Sequence, residues 1–178
     1  MAGGVRRSEQ RHPMSFRIEP AQPQDCGVLV ELIRALAEYE KLSHLVETTE
    51  EQVRAELFGP QPVIEAVIGW EEARGGTQAV AFALYFHNYS TFLARRGLYL
   101  EDLFVVPEAR RRGYGKLLMQ HLARIAVERG CGRFEWSVLD WNQPAIDFYE
   151  TLGAEVLPDW RICRIAGPAL ARFGASSQ

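Results

Sequence analysis

The sequence predicts an α/β protein in which a mixed, mostly antiparallel sheet of about six or seven strands carries helices on both faces. Some segments place apolar residues at helical spacing, other shorter ones alternate or run apolar, and the two kinds interleave along the chain. The 178 residues, 47% of them hydrophobic, suffice for one core. We therefore predict one domain over residues 16–173, a disordered tail over 1–15 and a flexible tail over 174–178.

The first half of the domain is predicted to run from a strand through two helices into a three-stranded meander. FRIEP, from Phe16, is a short strand, and Asp25 is placed as N-cap of the helix VLVELIRALAEYEKL. Thr48 and Glu51 form a capping box for a second helix, EEQVRAELF. PVIEAVIGW, QAVAFALYFHNYS and LYLEDLFVV follow as strands, and the short turn EEARGGT makes the first two antiparallel.

The second half alternates helices and strands. GKLLMQHLARIAVERG is a strongly amphipathic helix that ends at Gly130, and RFEWSVL is the next strand. QPAIDFYETLG forms a short helix with Pro144 in its first turn. WRICRIAG is predicted to close the sheet as its last strand.

Charge and composition exclude several classes of function. A net charge of −3 is unfavourable for a nucleic-acid or anionic-membrane surface, which would need a positive field. No window approaches the roughly 18 apolar residues of a membrane span, and the first residues lack the apolar run of a secretory signal. We therefore expect a cytoplasmic protein without nucleic-acid or membrane partners.

The cysteines and histidines predict no metal site. Cys26, Cys131 and Cys163 lie far apart, with no C-x-x-C pair and no companion histidines at ligand spacing, which indicates small buried thiols in a reducing compartment. The histidines form no H-E-x-x-H spacing, and no G-x-S-x-G elbow occurs. Metal-dependent and serine hydrolases therefore have no support.

The segment LEDLFVVPEARRRGYGKLL places an Arg-rich loop with two glycines between a strand and a helix. Its backbone N–H groups and the positive end of the helix dipole can hold a pyrophosphate, with nearby positive charge from Arg111, Arg112 and Lys116. Leu117 stands where a Walker A loop needs Ser or Thr, and Leu118 where a dinucleotide loop needs a small residue. The alternative is a solvated basic turn.

These residues carry a family resemblance. Arg110-x-x-Gly113-x-Gly115 resembles the coenzyme A signature of the GNAT acetyltransferases, and the order of elements from Phe16 to about Ala166 resembles that superfamily. YLEDLFV, DWNQPAIDFYETLGA and LIRALAEYEKL are similar to the diamine and polyamine N-acetyltransferase subfamily, which includes thialysine acetyltransferases. The resemblance implies a centrally splayed sheet, acetyl-CoA as cosubstrate, no metal, a small-molecule primary amine as acceptor, and a homodimer.

The resemblance also implies roles for individual residues. Glu101 is the expected base, and Tyr149 the expected acid that protonates the thiolate of coenzyme A. The loop chemistry and the resemblance together assign the donor to Leu103, Phe104, Val105, Arg110, Arg111, Arg112, Gly113, Tyr114, Gly115, Lys116, Asn142, Gln143, Pro144 and Ala145. The acceptor is assigned to Tyr39, Glu40, Glu101, Asp102, Glu135, Ser137 and Asp159.

Alternatives remain open at several of these positions. Glu101 and Asp102 interrupt an apolar strand, so they are either cleft residues or an edge facing solvent, and adjacent strand residues face opposite sides unless a bulge intervenes. Only VLPD precedes Trp160, where polyamine acetyltransferases carry a longer acidic loop. A protein amino terminus or lysine as acceptor, and a coenzyme A-binding module without catalysis, are the competing functions.

Overall fold

The computed structural model describes residues 15–73 and 75–175, which form two compact units divided between Ser137 and Val138. Of the tail predicted over 1–15, only Ser15 lies within the described residues. Of the tail predicted over 174–178, the structure describes residues 174 and 175, at the end of a helix. No helix in these described ranges is long and apolar enough to cross a membrane.

Within the described residues, the first unit contains a five-stranded sheet and three α-helices. Its strands lie in the order β1-β2-β3-β4-β5, all antiparallel to their neighbours except β5, which runs parallel to β4. In chain order the elements are β1 (Phe16–Pro20), α1 (Cys26–Tyr39), α2 (Glu50–Phe58), β2 (Glu65–Ala73), β3 (Gly76–Ser90), β4 (Arg95–Val105), α3 (Tyr114–Glu128) and β5 (Arg133–Trp136).

The core lies on both faces of β3, whose residues from Val80 to Tyr85 are all buried. A strand buried on both faces needs cover on each side, which confirms the predicted mixed sheet between helices. Phe82 and Leu84 pack with α1 and α2 in the larger cluster, together with Ile68. Val80 belongs to a second cluster at the start of α3, because the β2–β3 register shifts at Gly69 and turns Val80 away from Phe82.

The start of α2 corrects the predicted capping box by one residue. Thr49, not Thr48, is the N-cap, and its hydroxyl oxygen accepts the N–H of Gln52 at 3.3 Å. The Gln52 side chain in turn accepts the N–H of Thr49 at 2.9 Å. Glutamine serves at this position as well as glutamate, so the sequence TTEEQ offers two registers and the structure uses the later one.

The second unit contains α4 (Gln143–Thr151) and α5 (Gly167–Ala175). The predicted strand WRICRIAG is wrong, since its residues before α5 have no regular structure, and the strand count falls to five. A strand forms only where a neighbouring strand hydrogen-bonds its backbone N–H and C=O groups. Within the described residues this segment has no such neighbouring strand. Trp160, Ile162 and Phe173 are exposed at 75%, 71% and 70%.

Candidate active site

A β-bulge in β4 separates the two carboxylates that interrupt this strand. The ladder with β3 pairs Leu84 with Asp102 and Tyr85 with Leu100, so Glu101 is an extra residue without a partner opposite. Such a residue bends its strand and redirects the side chains around it. Glu101 is exposed, whereas Asp102 is partly buried and lies opposite Leu84, which packs in the cluster that contains α1.

Asp102 is the most perturbed carboxyl group of this region. Burial, and then the nearby charges of Glu101 and Glu40, raise the pKa of Asp102 to about 6. Glu40 caps the C-terminus of α1, and burial raises its pKa as well. The bulge and the end of α1 therefore form an acidic cluster of Glu40, Glu101 and Asp102, whose most buried member has a pKa close to that of a general base working at neutral pH.

Arg110 connects this cluster to the loop that follows β4. Its guanidinium lies 4.2 Å from the ring centroid of Tyr39, the last residue of α1, and 5.5 Å from that of Phe104. Arg110 Nε also donates to the carbonyl oxygen of Val105 at 2.9 Å. The side chain of Arg110 thus packs against the ring of Tyr39. A contribution of Arg110 to binding of the acetyl donor would therefore come from the backbone of Arg110.

The loop from Arg110 to Gly115 has the backbone geometry of an anion site. Gly113, the N-cap of α3, has a φ of 87°, and Arg111 has a φ of 62°. A Cβ added at Gly113 would meet nothing within 4 Å, so the space above this residue is open. The first N–H groups of α3 have no acceptor within their own helix and carry the positive end of its dipole. The geometry therefore fits a pyrophosphate.

Two side chains of the loop are bound to the sheet. Arg112 Nη1 lies 2.8 and 2.9 Å from the two carboxylate oxygens of Glu71 in β2, and the hydroxyl of Tyr114 donates to the same carboxylate. Burial and this hydrogen bond raise the pKa of Tyr114. Arg111 and Lys116 are exposed. Sequence reasoning missed Glu71 because its segment, EEARGGT, was assigned to a polar turn.

The sheet opens beside this loop, as the resemblance implied. β5 pairs with β4 only over Gly97–Leu100, and in the described chain no strand follows the same edge from Glu101 to Val105. The backbone groups on this edge, which include those of Leu103, can therefore bond an extended ligand with amide groups. Phe104 pairs with Phe82 of β3 and its side chain is buried in the core, which gives this residue a structural role.

Two of the predicted acceptor residues lie at the end of β5 and have partners within the first unit. Glu135 accepts a hydrogen bond from Asn88 Nδ2 at 3.1 Å and forms a salt bridge with Arg133, whose Nε lies 2.7 Å from the same carboxylate. The hydroxyl of Ser137 lies 2.8 Å from that of Tyr99. These contacts give both residues a structural role, and their role toward an acceptor stays a prediction.

The remaining predicted residues belong to the second unit. Asn142 is the buried N-cap of α4, and its carbonyl oxygen accepts the N–H groups of Ala145 and Ile146. Three other predicted positions lie within α4 or beyond it: Gln143 Nε2 donates to Asp147 at 2.6 Å, Pro144 is in the first helical turn, and Asp159 is exposed in the following turn. Tyr149 is partly buried on α4, with its ring centroid 5.3 Å from that of Phe148.

A split sheet edge beside a helix N-terminus suits a long donor with amides at one end and phosphates at the other, as acyl-CoA-dependent transferases require. The comparison with known families makes this class specific. Residues 29–154 match the Acetyltransferase (GNAT) family, and the chain therefore belongs to that family. It is an N-acetyltransferase, and acetyl-CoA is the cosubstrate of the family.

Curated relatives match over most of the chain. A thialysine N-epsilon-acetyltransferase from Mus musculus is 39% identical over 163 residues, which cover 88% of this chain and 95% of the relative. An L-ornithine N5-acetyltransferase from Arabidopsis thaliana is 34% identical, over 89% of this chain and 88% of the relative.

Solved structures support the fold. An integron cassette protein from the mobile metagenome of V. cholerae superposes with a TM-score of 0.76 at 26% identity, over 92% of this chain and 99% of that protein. An aminoglycoside acetyltransferase from an uncultured soil sample, solved with sisomicin, gives a TM-score of 0.70 over 85% of this chain and 97% of its own. At 18% identity the second likeness concerns the fold alone.

Proposed function

We propose that this enzyme transfers the acetyl group of acetyl-CoA to the terminal amine of a small molecule, either a lysine-like or ornithine-like amino acid or a short diamine. The acidic cluster of Glu40, Glu101 and Asp102 carries the proposal, because an alkylammonium group needs nearby negative charge. The printed names of the relatives, thialysine and L-ornithine acetyltransferases, support an amino acid with a side-chain amine.

In the proposed mechanism Asp102 accepts the proton that the acceptor must lose. An alkylammonium has a pKa of about 10 and cannot attack a thioester while protonated. With a pKa of about 6, Asp102 is mostly ionised at pH 7 and is a stronger base than an ordinary aspartate. Glu101 was the base predicted from the resemblance, but its exposure favours a role in attracting the ammonium and passing its proton on through water.

The donor supplies the acetyl thioester, and the proposed residues move the protons. The amine nitrogen forms the new bond to the acetyl carbon as the C–S bond breaks, and the sulfur takes a proton from the hydroxyl of Tyr149. The nitrogen then releases its second proton to solvent, from which the Tyr149 hydroxyl is restored. A tyrosine hydroxyl is a neutral donor at pH 7, which suits this step. Direct transfer needs no acetylated enzyme, and the three free cysteines lie outside the residues assigned to the site.

A thiol-release assay with acetyl-CoA tests this function. The acceptors are thialysine, lysine, ornithine, putrescine, spermidine, spermine, an aminoglycoside and a lysine-containing peptide. We expect saturable turnover with the amino acids or with putrescine, and a kcat/KM at least about tenfold lower for spermine, because the segment before Trp160 is short. Turnover with the peptide alone would favour a protein acceptor, and coenzyme A binding without turnover on any acceptor would favour a binding module.

We also propose that the protein is a homodimer in the cytoplasm. Trp160, Ile162 and Phe173 expose large apolar surfaces in the second unit, which a second copy of the chain would cover. Sedimentation equilibrium should give about twice the chain mass of 20.2 kDa, and a monomer at all concentrations would contradict it. The free thiols of Cys26, Cys131 and Cys163 suit a reducing compartment, and fractionation of the source cells tests this location.

A further inference from the structure

A buried carboxylate lies beneath the loop that precedes α3. Glu71, in β2 opposite Phe16, is 3% exposed. Burial of a carboxylate is costly unless the charge is paired and its oxygens are hydrogen-bonded. Arg112 supplies the charge with two hydrogen bonds, and Tyr114 adds a third from its hydroxyl. The charges of Arg112 and Glu71 therefore offset each other, and the guanidinium of Arg112 is held against the sheet.

These contacts fix the loop on both sides of Gly113. Arg112 precedes Gly113, and its Nη2 also donates to the carbonyl oxygen of Glu108 at 2.7 Å. Tyr114 follows Gly113, and its ring stacks on Phe16 with the centroids 3.9 Å apart and the planes at 4°. One carboxylate thus holds the two residues that flank the left-handed turn into α3.

We propose that Glu71 is a positioning residue for the donor: it holds Arg112 and Tyr114 so that the first N–H groups of α3 point in one fixed direction toward the pyrophosphate. This inference rests on the proposed use of the loop as the pyrophosphate site. A loop that is ordered before binding loses less entropy when the anion binds. Because Arg112 is paired with Glu71, the positive side chains left for the phosphates are Arg111 and Lys116.

A comparison of two acetyl donors distinguishes a positioning role of Glu71 from a general effect on the stability of the fold. S-acetylpantetheine has the same reacting end as acetyl-CoA but lacks the pyrophosphate, so it makes no contact that depends on the loop. For Glu71→Leu we expect the KM for acetyl-CoA to rise about tenfold or more, with kcat at saturation nearly unchanged. The kcat/KM for S-acetylpantetheine should stay within about twofold of wild type, because the reacting end is untouched.

The neighbouring residue provides the matched control. Glu72 is exposed on the same strand, and its carboxylate lies 3.6 Å from Arg17 Nη1, so Glu72→Leu should leave kcat and KM for both donors unchanged. Tyr114→Phe removes one of the three hydrogen bonds and should raise the KM for acetyl-CoA by about threefold. This milder variant keeps the test valid if Glu71→Leu does not fold, which circular dichroism and thermal melting would reveal.

The outcomes separate this inference from the function on which it rests. A wild-type enzyme that prefers acetyl-CoA strongly to S-acetylpantetheine, with the preference lost in Glu71→Leu and reduced in Tyr114→Phe, is the expected result. Equal losses with both donors would mean general damage to the fold and would overturn the positioning role. A wild-type enzyme with no preference between the donors would show that the loop does not hold the pyrophosphate and would overturn the positioning role, while its turnover would still support the proposed acetyl transfer. A wild-type enzyme without turnover on either donor would contradict the proposed function itself.

Discussion

Asp102→Asn is expected to lower kcat/KM for the amine by about 10² to 10³-fold at pH 7.5, because the amide cannot accept a proton. The dissociation constant for acetyl-CoA, measured by calorimetry, should change by less than about twofold, because Asp102 is assigned to the acceptor. Steady-state kinetics on the best acceptor of the panel measures the loss.

Two control variants show whether the effect belongs to Asp102. Glu101→Gln removes the exposed carboxylate of the bulge, and we expect a higher KM for the amine with a smaller loss of kcat. Glu56→Gln removes an exposed carboxylate from α2 and should leave both constants unchanged. A larger loss of kcat in Glu101→Gln than in Asp102→Asn would return the role of base to Glu101, as the resemblance first implied.

The pH dependence of kcat/KM should follow the titration of Asp102. Wild-type kcat/KM should fall tenfold per pH unit below about pH 6, where Asp102 becomes protonated, and should also fall above the pKa of the amine, about 10. The acidic limb should disappear in Asp102→Asn. An acidic limb with a midpoint near pH 4 in the wild type would indicate an ordinary carboxylate as the base.

The substitution that lowers activity should raise stability. Between the unfolded pKa of 3.8 and the folded pKa of about 6, the folded protein binds more protons at Asp102 than the unfolded chain does. The free energy of unfolding therefore falls as pH rises through this window and stays lower above it. At pH 7 Asp102→Asn should be more stable by about 1–3 kcal/mol, measured by denaturant unfolding, whereas near pH 3.5 the difference should be small.

Local sequence patterns were enough to predict the long helices and the loop before α3. They failed for segments whose structure depends on a partner elsewhere in the chain. The periodicity of α1 and α3 and the glycines before α3 are properties of short segments, and the structure confirms these elements. WRICRIAG alternates like a strand, yet a strand depends on a partner elsewhere in the chain, and the described structure provides none. The same limit explains the capping register of α2, where Thr48 and Thr49 are equally good candidates.

The residue types of the candidate site could be predicted from the sequence, but the orientation and burial of its side chains could not. The sequence identified Glu101 and Asp102, but only the register with β3 shows that Glu101 is the bulged residue and Asp102 the more buried one. The sequence alone does not distinguish the side-chain contacts of Arg110, Arg111 and Arg112. In the structure Arg110 packs on Tyr39 and Arg112 pairs with Glu71, two long-range contacts that no local spacing encodes.

Replacing Tyr149 with Phe should reduce kcat by about 10 to 10²-fold and leave the acetyl-CoA dissociation constant within about twofold, since the change removes only the hydroxyl proposed to protonate the leaving sulfur. Tyr89→Phe removes the same group from a tyrosine that is 61% exposed on β3, and should leave kcat unchanged. Because a thiolate of pKa about 8.5 can leave without full protonation, a reduced rate is expected and not a complete loss. Equal kcat for wild type and Tyr149→Phe, with acetyl transfer shown to be rate-limiting by single-turnover kinetics, would remove Tyr149 as the acid and leave water or the acceptor's own proton for that step.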